Sequence, residues 1–249
     1  MRIHQCWKFL KICQYLLFTS HLTKQLSIAI FCFIVLNYKV SFAFNLVIDP
    51  GHGGEDHGAT QGGIKESEIT LNVALKLAAY FLNDSSIKVI LTRPSDESLS
   101  LRNRVEINDF YKGDLFVSLH VNSSIDKRAK GADFYIGIPQ TKPSSANSGQ
   151  SLVENIVQNV RQTARLYQSQ YLASDTYNSW KDSAVTLPRS VRQGPFYVIN
   201  RNSVPSILVE FGFITNPKEA IELTKEENQD AIAKSIYNAV KTFQSRKLN

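Results

Sequence analysis

Four side chains of this sequence have the types and spacing to hold a divalent metal and to move protons beside it: His52, Glu66, His120 and Glu210. His52 sits at the crest of a turn, Val47-Ile48-Asp49-Pro50-Gly51-His52-Gly53-Gly54, that follows the apolar run Phe44–Ile48. Imidazole is the commonest side-chain metal ligand, and glycines on both sides let a bulky ligand approach the ion. Glu66 follows after one loop, His120 ends the run Phe116-Val117-Ser118-Leu119, and Glu210 follows Ile207-Leu208-Val209. Two His and one Glu on a zinc ion, with a second Glu to carry protons, make the equipment of a zinc hydrolase.

Each of these residues also has a bland reading. His52 could be a turn residue bonded to its own loop, and His120 a satisfied core histidine. Glu210 could be a structural carboxylate paired with Arg192 or Arg201. Glu68 competes with Glu66 for the ligand role, but Glu66 lies where the backbone can still turn toward His52, whereas Glu68 suits the positive helix N-terminus. Asp49 reads as a support that holds the turn or a ligand histidine. His57 reads as a rim residue, because a hydrolytic zinc needs one position open to water. The glycine-rich turn lacks the Lys-Ser/Thr ending of a phosphate-binding loop. Asn122, two residues beyond His120 on the same strand face, could orient a ligand or a substrate amide.

The elements that must position these groups follow from periodicity. Apolar runs at Phe44–Ile48, Ile87–Leu91, Asp114–His120, Gly131–Ile138, Pro195–Ile199 and Ser206–Phe211 read as six strands, with Gly131–Ile138 at an edge. Helical stripes run over Glu68–Leu82, Leu99–Phe110 (Leu101, Val105, Ile107 and Phe110 inward), Leu152–Leu172 and Lys225–Phe243. Strands alternating with helices imply an α/β fold: a largely parallel, twisted sheet of about six strands sandwiched by helices in a single domain. Ligands gather at the C-terminal edge of such sheets, where His52, His120 and Glu210 all fall. Ala173–Arg192 lacks periodicity and reads as irregular. It reads either as a mobile surface loop lining the substrate groove or as a segment that covers the site, with Asp175 and Asp182 approaching the metal while Trp180 and Leu187 pack it down.

Charge and cysteines bound the setting. The net charge is +6, from 28 Lys and Arg against 22 Asp and Glu, but residues 1–43 carry five of the basic residues and no acid. The remaining 23 against 22 leave a nearly neutral body, which argues against nucleic acid as a partner. Leu26–Leu36 is an apolar run behind a positive stretch, shorter than the roughly 20 residues a membrane span needs. With Ser41-Phe42-Ala43 behind it, residues 1–43 read as a signal peptide cleaved after Ala43, an uncleaved anchor being the alternative. Residues 44–249 would then form the exported catalytic domain. All three cysteines (Cys6, Cys13, Cys32) lie in the leader, so a metal in the body must use His and carboxylates.

The motifs together resemble the zinc-dependent N-acetylmuramoyl-L-alanine amidases of bacterial cell-wall metabolism. The resemblance rests on Asp49–Gly54, Gly63-Ile64-Lys65-Glu66, Arg93, Ser118–Asn122 and the stretch Val204–Asn216, in that order, and spans Asn45–Phe243. It implies one zinc ion on His52, Glu66 and His120, with Glu210 catalytic, and so favours Glu66 over Glu68. The implied substrate bond joins the lactyl group of N-acetylmuramic acid to the L-Ala of the stem peptide. The implied partners are peptidoglycan and, as in some relatives, an activator protein; a monomer in the periplasm or cell wall is expected. His57 departs from the pattern, since similar proteins more often carry Pro there. Two rivals remain: a zinc carboxypeptidase-like enzyme, which would want an Arg such as Arg93 for a terminal carboxylate, and a non-catalytic wall-binding protein.

Overall fold

The computed structural model describes residues 44–139, 152–180 and 188–248. The elements in chain order are β1 (Phe44–Pro50), β2 (Thr60–Gln61), β3 (Ile64–Lys65), α1 (Glu66–Tyr80), β4 (Ile87–Leu91), α2 (Leu101–Tyr111), β5 (Leu115–Asn122), β6 (Ala132–Ile136), α3 (Leu152–Ser179), β7 (Arg189–Gln193), α4 (Tyr197–Asn200), β8 (Ser206–Phe213), α5 (Pro217–Thr224) and α6 (Glu226–Leu248). Six strands form one sheet in the order β4-β1-β5-β8-β6-β7, parallel throughout except where β6 runs against β8. β2 and β3 make a separate hairpin. Gly62 and Gly63 close it with positive φ at both turn positions, as a tight two-residue turn requires.

Side-chain alternation explains why the site lies on one face only. Leu46, Ile48, Leu115, Val117, Leu119, Ile207, Val209 and Phe211 belong to the larger core, with Val73 and Leu77 of α1 and Ile232, Ile236 and Val240 of α6. The intervening residues Val47, Phe116 and Leu208 form a smaller cluster with Ile90, Val198 and Ile199. Farther along the same strands, that second set of positions turns polar: Asp49, Ser118, His120 and Glu210. One face therefore holds the sheet to its helices over the full strand length. The other is apolar at one end and chemically equipped at the carboxyl end of β1, β5 and β8.

Several expectations need correction. Pro195–Ile199 is not a strand: Tyr197–Asn200 forms the single-turn helix α4, whose Val198 and Ile199 fill the smaller cluster. A five-residue apolar run fits either state, and only the neighbours decide. The sixth strand is Arg189–Gln193, all but its last residue inside the segment expected to be irregular. Its sequence carries two arginines and a glutamine, as suits a half-exposed edge. Gly131–Ile138 is therefore not at the edge, since β6 lies between β8 and β7. α3 runs on to Ser179, past the expected Leu172, because Ala173 and Thr176 continue its buried side. On α2 the inward residues are Arg104, Val105 and Asn108, while Leu101 and Phe110 are exposed. What α2 covers there is the polar turn after β1, which a cation satisfies better than a leucine.

Candidate metal centre

His52, Glu66 and His120 converge from three separate elements, their ligand atoms all within 4.8 Å of one another. Glu66 Oε1 lies 3.2 Å from His52 Nε2 and 3.0 Å from His120 Nδ1. The two imidazoles meet edge to face with ring centres 5.0 Å apart. The group can hold a metal ion: ligands at zinc–nitrogen and zinc–oxygen distances near 2.0–2.1 Å in a tetrahedron stand roughly 3.3 Å apart, close to the two separations from Glu66. Glu68 turns away and pairs with the neighbouring Lys65.

The backbone is shaped to bring these groups together. His52 has φ +58, a left-handed conformation that costs a non-glycine residue about 1 kcal/mol or more and persists only where the surroundings enforce it. Here Arg104 and Arg93 enforce it. Arg104 donates to Asp49 Oδ1 at 2.8 Å, to Pro50 O at 2.6 Å and to His52 O at 2.7 Å. Arg93, fully buried, donates to the carbonyls of Pro50, Gly51, Ser67 and Ser95. Asp49 also accepts from Thr92 Oγ1 at 2.6 Å and Ser118 Oγ at 2.7 Å, so it braces the turn as expected. At Gly51 any Cβ would collide with the His120 ring. At Gly58, φ +64, a Cβ would stand 2.6 Å from Glu66 Oε2.

Glu66 opens α1, and all of its hydrogen bonds come from the site itself. Oε2 accepts from Ala59 N at 2.9 Å, and Oε1 accepts from Val121 N at 3.0 Å besides meeting both histidines. Burial alone would raise its pKa, but the hydrogen bonds and charges of His120 and His52 overcome this and hold it well below the usual carboxylate range. Burial likewise opposes protonation of His52, yet Glu66 and then Asp56 raise it to about 9. Asp56 Oδ2 sits 2.9 Å from His52 Nδ1 and thereby leaves Nε2 to face Glu66.

Glu210 is the opposite case. It is 9% exposed, its Oε2 has no hydrogen-bond partner among the described residues, and burial pushes its pKa up to about 7. Its backbone is in register with His120 on one side and with Asp133 on the other. The β5–β8 pairing shifts between His120 and Asn122, a bulge beside the site of the kind that re-aims side chains. A cavity of about 260 Å³ borders the centre, with His52, His120, Asp56, Leu99 and Val198 in its wall.

The remaining expectations sort as follows. His57 is exposed on the loop, consistent with the rim. The Asn122 side chain donates to Asp133 and accepts from the following amide. Asp175 does not approach the centre: it is buried and paired with Arg246 of α6, with an Nη2–Oδ1 distance of 2.7 Å. Trp180 is fully buried against Phe134, with ring centres 5.2 Å apart, as a packing residue. Asp182 and Leu187 lie outside the described residues. Sequence reasoning missed Asp56, Arg104 and Asp133. An acid four residues past His52 in a glycine turn, and a lone acid in the apolar run Ala132–Ile136, were available signals. Arg104 had none, since a charge on a helix normally faces water.

This α/β fold, with its histidine and carboxylate cluster at the carboxyl strand edge, is that of a cell-wall amidase domain. Residues 46–242 match the family model described as N-acetylmuramoyl-L-alanine amidase, and the chain belongs to that family. It is 34% identical over 196 residues to the uncharacterized protein YqiI of Bacillus subtilis, covering 79% of this chain and 82% of that one. To the N-acetylmuramoyl-L-alanine amidase AmiA of Escherichia coli it is 29% identical over 218 residues, covering 80% of this chain and 75% of AmiA. Among solved structures, the N-acetylmuramoyl-L-alanine amidase AmiC2 of Nostoc punctiforme superposes with a TM-score of 0.65 at 29% identity, over 82% of this chain and 98% of that one. The CwlD amidase of Clostridioides difficile, solved in complex with the GerS lipoprotein, gives 0.66 at 26% identity over 82% and 99%. Among the described residues no helix is long and apolar enough to cross a membrane.

Proposed function

We propose that this protein hydrolyses the amide between the lactyl group of N-acetylmuramic acid and the L-Ala of the peptidoglycan stem peptide, with one zinc ion held by His52, Glu66 and His120. The observation that carries the reading is the pairing of a pre-assembled His-Glu-His cluster with a second, unpartnered buried carboxylate, Glu210. Bound zinc would acidify a water and polarise a carbonyl oxygen, which are the two needs of amide hydrolysis at neutral pH.

The chain's own residues supply the rest. Glu210, with a pKa near the working pH and a free Oε2, takes a proton from the attacking water and returns it to the leaving nitrogen. Asp56 holds His52 by Nδ1, and Arg104 and Arg93 hold the strained turn beneath it, so the ligand atoms need little rearrangement. The same bonds remove the feature that favoured a carboxypeptidase, because Arg93 is buried and directed at backbone carbonyls. A wall-binding protein without turnover would have no use for Glu210 and its desolvation cost. We further propose that residues 1–43 direct export and that the enzyme works outside the cytoplasmic membrane, where its substrate lies.

The deciding experiment is digestion of isolated peptidoglycan by the purified protein, with zinc content measured in parallel. Intact stem peptides with a free L-Ala amino terminus are expected. Internally cut peptides would replace the reading with a peptidase, and an unchanged wall with bound protein would replace it with a binder.

A further inference from the structure

A second concavity, of about 400 Å³, opens where β6 and β7 meet the end of β8. Among the described residues its lining includes Arg128, Lys130, Arg189 and Arg192 against a single acid, Asp133, with Phe213 as an apolar wall. In a body that is otherwise nearly neutral, this is a concentrated positive field. Two of the four cations are already compensated. Arg128 is paired with Asp126 through two bonds of 3.0 Å, and Arg192 with Asp133 at 3.1 Å.

The other two are not. Neither Arg189 nor Lys130 makes an ion pair among the described residues. Glu219, near Lys130, directs its oxygens to the amides of Gly131 and Phe213 instead. The Arg189 guanidinium lies over the Tyr177 ring at 4.5 Å, which fixes its plane, and its Nε is buried with no hydrogen-bond partner. That Nε is closed to solvent, so only the terminal nitrogens of this held guanidinium can meet a ligand in the cleft. A planar fork of this kind matches a carboxylate.

Position gives the cleft its meaning. Asp133, which lines it, is the register partner of Glu210 across the β6–β8 pairing, one strand spacing of roughly 5 Å away, whereas Arg189 pairs with Ala132 and enters from the opposite sheet face, so a ligand meets it over the strand edge. We propose that the cleft is a subsite in which Arg189 and Lys130 bind a free carboxylate of the stem peptide while the L-Ala amide lies at Glu210. This rests on the amidase reading above and adds a specificity to it: acidic stem peptides are preferred over amidated ones.

The test compares a soluble muropeptide carrying free carboxylates with the same molecule fully amidated, on wild-type protein and on Lys130→Gln, Arg189→Gln and the double variant. Wild type should show a KM about tenfold lower for the acidic substrate, a typical effect of a charge-assisted bond. The double variant should lose that preference at unchanged kcat, and Arg189→Lys, which keeps the charge without the planar fork, should retain only part of it. Arg189 packs on Tyr177, so its neutral variant could misfold; Lys130→Gln, at an exposed residue, must then raise the KM severalfold by itself. Unchanged discrimination in Lys130→Gln and in a folded double variant would overturn the proposal. So would inorganic phosphate that displaces the free acidic peptide as well as the peptide displaces itself, since the cleft would then read any anion. Direct titration with the free acidic peptide and its amidated form separates the two readings. It still decides the cleft if wild type hydrolyses no muropeptide and the amidase assignment fails.

Discussion

Two buried carboxylates stand on either side of His120, and their surroundings are opposite. Glu66 receives two backbone amides and two imidazoles, and these hold it ionised despite burial. Glu210 has a buried oxygen with no partner and a pKa pushed up to about 7 by that burial, with the Glu66 and Asp133 charges adding to the push. A group whose charge is stabilised in advance suits a metal ligand, which must be deprotonated. A group poised between its two protonation states suits proton transfer. Two carboxylates of one site are thus separated in role by hydrogen bonding rather than by depth.

The comparison breaks at several points, and metal removal is expected to have the largest effect. Chelation, or His120→Ala, should abolish hydrolysis together with bound zinc measured by elemental analysis; full activity in verified metal-free protein would end the zinc mechanism. Glu210→Gln should keep zinc yet lower kcat by about 10²–10⁴-fold, the usual share of general acid–base catalysis. A near-normal rate in that variant would move the base elsewhere.

Arg104→Met removes one partner of the buried Asp49 pair and the donor to His52 O. It should cost about 3–5 kcal/mol of stability by denaturant titration. A loss below about 1 kcal/mol would mean that Arg93 alone holds the turn. Asp56→Asn should weaken zinc affinity about 10–100-fold without unfolding the domain, as expected when the support of a ligand histidine is altered. Unchanged affinity in a competition assay would reduce Asp56 to a loop residue.

The smallest effect sharpens the contrast most directly. Glu210 has a folded-state pKa above its ordinary value of 4.5, so the folded protein binds the extra proton between pH 4.5 and about 7, and stability falls as pH rises through that window. Metal-free Glu210→Gln should therefore melt a few degrees above metal-free wild type at pH 8, and the gap should close near pH 4.5. A constant gap would show that Glu210 is not strained by its charge.

Much of the centre was legible beforehand because metal chemistry restricts residue types so sharply. With no cysteine after residue 32 and three histidines in the body, few ligand sets were possible, and the glycine turn and strand-end positions favoured His52 and His120. The larger core was legible for a similar reason: strands β1, β5 and β8 and helices α1 and α6 carry strong apolar periodicity, which burial imposes. The misreadings fall where burial and hydrophobicity part company. β7 is polar because it is an edge, α4 is an apolar run coiled into one turn, and α2 buries an arginine.

The sequence by itself determined the fold class, the succession of the main strands along the chain and the three residues that cluster as candidate metal ligands, since these depend on local period and on side-chain chemistry. Only the tertiary structure decided which carboxylate is satisfied and which is left open. It also decided that Arg93 and Arg104 brace a turn rather than read a substrate, and that Lys130 and Arg189, neither in an ion pair among the described residues, share a cleft that Asp133 also lines. Those outcomes depend on hydrogen bonds and charges between residues 26 to 77 positions apart, and no local pattern encodes where a donor so distant in the chain will point.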